Sequence, residues 1–225
     1  MSQLPMKIIG FSFDELAHYT CAQIASFYPD GSRDDNYRAI RKSLAVALER
    51  LSVCTKKVVQ WRLDEFDPMN SSQHSTFLYL LANTVWRDTA SEAVPTKLFL
   101  LNKALHGIEM FFKIEMPPVF LLGHTVGIVL SNTTYGNYFA IFQNSTVGRL
   151  GNDRPTIGKG VLMFPNTSIV GRCNIGDNTT ISQGTYVVNT DSPGNVTIFS
   201  SGGRHPLIKC GRSNAIELYF RDMDL

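Results

Sequence analysis

Between residues 157 and 188 an apolar side chain returns at every sixth position: Ile157, Met163, Ile169, Ile175, Ile181 and Val187. Four residues after each of the first five stands a small or β-branched residue: Val161, Thr167, Cys173, Thr179 and Thr185. A period of six matches neither the roughly 3.6 residues of a helical turn nor the two-residue alternation of a strand, and it is a signature of a parallel β-helix. Three hexads make one triangular coil. The anchor points into the narrow interior, the small residue packs beneath it, and Gly or Asn takes the corners that need positive φ. Gly158 and Gly176 directly follow their anchors. A second register runs through Val129, Tyr135, Ile141 and Val147, with Thr133 and Ser145 at small positions. From Val147 to Ile157 is ten residues rather than six, so four are inserted within residues 148–156. This polar loop is expected to leave the solenoid wall, where function often resides.

The first half follows helical spacing instead. Ser12 and Glu15 form a capping box that opens a helix through Leu16, Tyr19 and Ile24. Asp34 or Asp35 caps a second, carrying Ile40, Leu44, Leu48 and Leu51. Residues 57–61 read as an extended connector and 66–72 as a loop. A third helix carries Phe77, Leu78, Leu81 and Val85, and a fourth is expected from Thr96 to Lys113 with Leu98, Leu101, Leu105 and Met110. These stripes are read as core. At Met116-Pro117-Pro118 helix formers give way to Gly, Asn, Thr, Val and Ile. The expected fold class is α+β, an N-terminal α-helical domain (1–115) followed by a parallel β-helix (116–209) and a C-terminal tail (210–225).

A net charge of +2 gives no electrostatic case for nucleic acid or an acidic membrane. Cys21, Cys54, Cys173 and Cys210 stand far apart without metal spacing and are expected as reduced thiols in a cytoplasmic protein. The N-terminus has too short an apolar run for a signal peptide, and no apolar run reaches the ~18 residues of a membrane span. His124 and His205 are the only histidines of the solenoid half, too few for a three-histidine zinc site. No metal is expected.

The hexads resemble those of the hexapeptide-repeat acyltransferases, built on a left-handed parallel β-helix. A helical first half joined to such a solenoid is similar to the serine acetyltransferase branch in particular. Its Asp-His-x-x-Gly segment is matched by Gly123-His124-Thr125-Val126-Gly127-Ile128-Val129, and its S-I-L-Q run by Ala140-Ile141-Phe142-Gln143. Its G-D-R-H-P loop is matched incompletely by Asn152-Asp153-Arg154-Pro155. Ile114-Glu115-Met116-Pro117-Pro118 is similar to segments of surface-polysaccharide O-acetyltransferases, although the connection from there to His124 is about six residues shorter than in those relatives.

The resemblance implies acetyl-CoA as acyl donor and His124 as general base, because acyl transfer to a hydroxyl needs its proton removed and imidazole titrates near neutral pH. Glu115, with Glu109 as the alternative, is the acid implied to orient it. Arg154, Gln143 and Asn144 are implied acceptor contacts, and Gly148, Pro165, Gln183 and Gly184 are implied acetyl-CoA contacts. Arg204 is a candidate phosphate contact, beside a structural His205. A homotrimer, or a dimer of trimers, follows from the family. Two departures redirect the acceptor: Gly123 replaces the aspartate before the histidine, and the loop histidine after Arg154 is missing. In serine acetyltransferases those side chains help hold the amino acid. The reading is therefore an acetyl-CoA-dependent O-acetyltransferase acting on a sugar or glycan hydroxyl, with serine O-acetyltransferase and a non-catalytic scaffold as alternatives.

Overall fold

The computed structural model describes residues 6–203, 205–211 and 215–223. Helix α1 (Phe13–Phe27) opens on the expected capping box: the Glu15 N–H donates to Ser12 Oγ, and the Ser12 N–H donates to the Glu15 carboxylate. Helix α2 (Arg33–Lys57) starts after Ser32, so Asp34 and Asp35 lie in its first turn, where their charge offsets the helix dipole. Helix α3 (Ser71–Thr89) is buried on all sides from Gln73 to Val85 and is the centre of the bundle.

Helix α4 (Ala93–His106) ends earlier than the apolar spacing predicts. Gly107 adopts a left-handed conformation (φ 64°) and its N–H closes on the Lys103 carbonyl. The next strand, Glu109–Met110, already pairs in parallel with Val129–Leu130. The solenoid thus begins ahead of Met116, and Met110 faces its interior rather than a helix core.

Buried in the bundle, His74 Nδ1 lies 2.9 Å from His106 Nε2. Burial, reinforced by the neighbouring imidazole, pushes the His74 pKa down to about 4, and burial lowers that of His106. The unfolded chain takes up the His74 proton near pH 6.5 and the folded chain does so only nearer 4. Stability is therefore complete above pH 7 and lost as pH falls through that window. The loss from His74 is expected to be about 2 kcal/mol between pH 7 and pH 5. Thermal melts across that range check it, and His74→Gln flattens the slope.

The second half is a parallel β-solenoid with three faces. One face stacks Phe120–Gly123, Phe139–Phe142, Leu162–Met163, Thr179–Ile181 and Val196–Phe199. A second stacks Glu109–Met110, Val129–Leu130, Thr146–Gly148, Ser168–Val170 and Tyr186–Val188. The third stacks Thr134–Tyr135, Thr156–Ile157 and Asn174–Ile175. All six anchors of the first register, with the small residues Val161, Thr167, Cys173, Thr179 and Thr185, are buried as the hexads predict. Corner positions 144, 166, 178, 189 and 195 are asparagines with positive φ. Gly158 and Gly176 serve a different need. A Cβ on Gly176 would lie 2.4 Å from the Gly194 nitrogen of the next coil, so side chains are excluded by close stacking.

Val129 departs from the expected register. It pairs with Thr146 in the outward column and is 38% exposed, while Leu130 beside Val147 is the buried anchor. The turn in which the Ile128 N–H bonds the Thr125 carbonyl shifts this strand by one position. The insertion leaves the wall as expected: Leu150 and Asp153 bond each other in a tight exposed loop. Strand Leu207–Cys210 then pairs antiparallel with Val196–Phe199 and covers the last edge. The tail returns to the helical domain, where Phe220 bridges Val58.

Candidate active site

Strand Phe120–Gly123 ends at His124, which turns the chain with φ 54° and whose carbonyl accepts the Val126 N–H. A non-glycine residue in this region is uncommon, and such strain concentrates at working sites. The imidazole is exposed and lies 6.2 Å, centroid to centroid, from the Phe142 ring. It opens on a cavity of about 200 Å³ lined by Gln60, Trp61, Asn70, Ser71, Ser72, Gly123 and Phe142. Apart from His124, the lining carries no ionisable side chain. Ser72 Oγ donates to the Leu122 carbonyl at 2.5 Å, fixing the start of α3 against the strand that bears the histidine.

Gly123 is required by its neighbour. A Cβ there would lie 2.4 Å from two carbons of the Phe142 ring. The aromatic ring fills the space into which a side chain at 123 would point.

A ladder of backbone bonds continues from His124 along one solenoid edge. The Asn144 N–H donates to the Val126 carbonyl, the Asn166 N–H to the Gln143 carbonyl, and the Gly184 N–H to the Pro165 carbonyl. Gln143, Asn144, Pro165, Gln183 and Gly184 therefore share the edge that carries His124. Asn144 turns a corner (φ 57°), with its Oδ1 in the space a Cβ on Gly127 would need. Gln143 Oε1 is buried without a hydrogen-bond partner among the described residues. Gly148 sits elsewhere, at the far end of the face Thr146–Gly148, where its carbonyl accepts the Gly171 N–H.

The two candidate acids are committed to other partners. Glu115 ion-pairs with Arg87 on α3, and Glu109 with Lys103 at 2.8 Å. Among the described residues no carboxylate bonds His124. The physical reason is the short connection: Met116-Pro117-Pro118 leads directly into the strand and leaves Glu115 on the helical side. Arg154 is exposed in the inserted loop and donates to the Asn132 carbonyl at 3.1 Å. Arg204 lies outside the described residues. Among the described residues, no group of three His, Cys, Asp or Glu side chains is arranged to hold a metal and no helix is long and apolar enough to cross a membrane. Gln60, Trp61 and Asn70 to Ser72 were not legible as site residues. They carry no motif, and only the folding of α3 onto the solenoid brings them to His124.

In sequence and in fold the chain is similar to serine acetyltransferases. It is 28% identical over 116 residues to the serine acetyltransferase of Synechococcus elongatus, a match covering 49% of this chain and 47% of that one. With the serine acetyltransferase of Bacillus subtilis it shares 25% identity over 171 residues, 70% of this chain and 78% of that one. The chain thus spans about half the length of the first relative. The serine acetyltransferase structure from Neisseria gonorrhoeae superposes with a TM-score of 0.70 at 19% identity, covering 92% of this chain and 84% of that one. That of soybean, complexed with serine, gives 0.64 at 17% identity over 87% and 83%. No family model matches the chain.

Proposed function

We propose that the protein is an O-acetyltransferase that uses acetyl-CoA as donor and His124 as general base. The observation that carries this reading is the exposed, left-handed His124 at the mouth of a cavity, inside the Gly123–Val129 motif that resembles the serine acetyltransferases. The imidazole takes the acceptor hydroxyl proton as the oxygen attacks the thioester carbonyl. The tetrahedral oxyanion collapses, the C–S bond breaks, and the imidazolium returns the proton to the departing CoA thiolate. Pro165, Gln183 and Gly184, on the same edge, are proposed to line the acetyl-CoA path, and Gln143, Asn144 and Arg154 to reach the acceptor. Exposed Val126, Tyr186 and Val188 on the solenoid supply apolar surface for a homotrimer.

L-serine is the acceptor the relatives support, ahead of the glycan hydroxyl that the sequence departures suggest. One specific observation favours a second reading, a neutral sugar hydroxyl: no carboxylate lines the cavity, so a buried ammonium would go unpaired at a cost of several kcal/mol. Acetyl-CoA consumption against L-serine, nucleotide sugars and oligosaccharides decides between them. Saturable turnover with L-serine supports the first reading; turnover confined to sugars supports the second.

Gly123→Asp restores the family aspartate and tests why it is missing. Its Cβ collides with Phe142, so the variant is expected to lose about 1–3 kcal/mol in a denaturant titration and to gain no serine turnover. Combining it with Phe142→Ala removes the collision, so the pair is expected to lose less than the sum of the two single losses.

A further inference from the structure

The C-terminal tail is unreadable from sequence, yet it is stitched to the loop that walls the His124 cavity. The Val59 N–H donates to the Tyr219 carbonyl at 2.8 Å, and the Arg221 N–H donates to the Lys57 carbonyl at 2.7 Å. The Arg221 guanidinium then spans the loop. Its Nη1 donates to the Val58 carbonyl at 2.8 Å, and its Nη2 to the carbonyls of Val59 and Trp61 at 2.6 and 3.2 Å. Three carbonyls in four residues converge on one fork, a geometry that a lysine ammonium on a flexible stem does not reproduce. Between these residues, Phe220 is 3% exposed and its ring lies 5.6 Å from that of Tyr138. The Tyr219 ring lies 5.0 Å from Phe142.

The clamped loop contributes Gln60 and Trp61 to the cavity, and Phe142 forms another wall beside Gly123 and His124. Two walls therefore depend on residues 219–221. We propose that Arg221 is a positioning residue of the acceptor site: it holds residues 58–61 so that Gln60 and Trp61 face His124, while Tyr219 supports Phe142. Arg221 touches no cavity surface itself and acts only through the carbonyls it gathers. The inference rests on the acyltransferase reading, because it assigns the cavity to the acceptor. Among the described residues outside the tail, the hydrogen bonds and ring contacts of Tyr219, Phe220 and Arg221 reach residues 57–61, Tyr138 and Phe142, and none reaches Pro165, Gln183 or Gly184, the residues proposed for acetyl-CoA.

The test compares the wild-type chain with Arg221→Met and Arg221→Lys, by steady-state kinetics and by amide hydrogen exchange of residues 57–62. Arg221→Met is expected to raise the acceptor KM about tenfold or more, since misplacing positioning groups by about 1 Å has effects of that order. The acetyl-CoA KM is expected to stay within about twofold. The Val59 amide, whose acceptor is the Tyr219 carbonyl, is expected to exchange faster. Arg221→Lys is expected to fall between the two. Unchanged acceptor KM with faster exchange would overturn the proposal, because the clamp would then be structural only. Equal rises in both KM values would overturn it as well. If the wild type consumes no acetyl-CoA with any acceptor, the acyltransferase reading falls and this assignment with it, and exchange at Val59 still reports whether Arg221 holds the loop.

Discussion

Replacing His124 with asparagine is expected to lower acceptor-dependent acetyl-CoA turnover about a thousandfold, within the range general-base removal commonly produces. Asparagine is chosen on physical grounds. His124 sits at φ 54°, where asparagine is tolerated and alanine is strained, so the variant keeps the turn. Its amide accepts a hydrogen bond but cannot take up a proton near neutral pH. Because the imidazole is exposed and makes no side-chain hydrogen bond among the described residues, the melting temperature should move by about 1–2 °C at most. Steady-state rates at saturating acetyl-CoA, with a thermal melt on the same sample, check both halves. A variant that keeps more than about a tenth of the rate would remove His124 from the chemistry.

The second large effect is on the solenoid. Ile169 is 0% exposed and stacks between Val147 and Val187 in one interior column. The interior is narrow and its walls are hydrogen-bonded coils, so a vacated volume closes poorly. Ile169→Ala is expected to cost about 3–4 kcal/mol in a denaturant titration, from lost transfer energy plus the cavity. Leu63, 58% exposed, supplies the control: its replacement by alanine should change stability by about 0.5 kcal/mol or less. Comparable losses at both positions would mean that the hexad anchors do not form the core.

Hexad anchors between Ile157 and Val187 were legible because each repeats one physical requirement, an interior side chain above a small one. Val129 misled because a turn at Thr125 to Ile128 shifts the strand by one residue, which a fixed period cannot register. Met110 misled similarly: its spacing fits a helix, but Gly107 stops α4 and returns the chain to a strand. In the site, the match around His124 located the histidine that the fold presents at the cavity. Glu115 was read from a local motif, and the neighbouring Arg87 on α3 holds it, a tertiary contact that no local pattern encodes. Trp61, Asn70 and Arg221 belong to the cavity or its support through contacts between residues far apart in the chain.

CoA release from acetyl-CoA by the wild-type chain, followed by thiol titration with and without L-serine and a sugar panel, tests the central claim most directly. Release is expected to rise with one hydroxyl acceptor, to saturate, and to leave that acceptor heavier by one acetyl group. Acetyl-CoA that is neither bound nor consumed with any acceptor would contradict it.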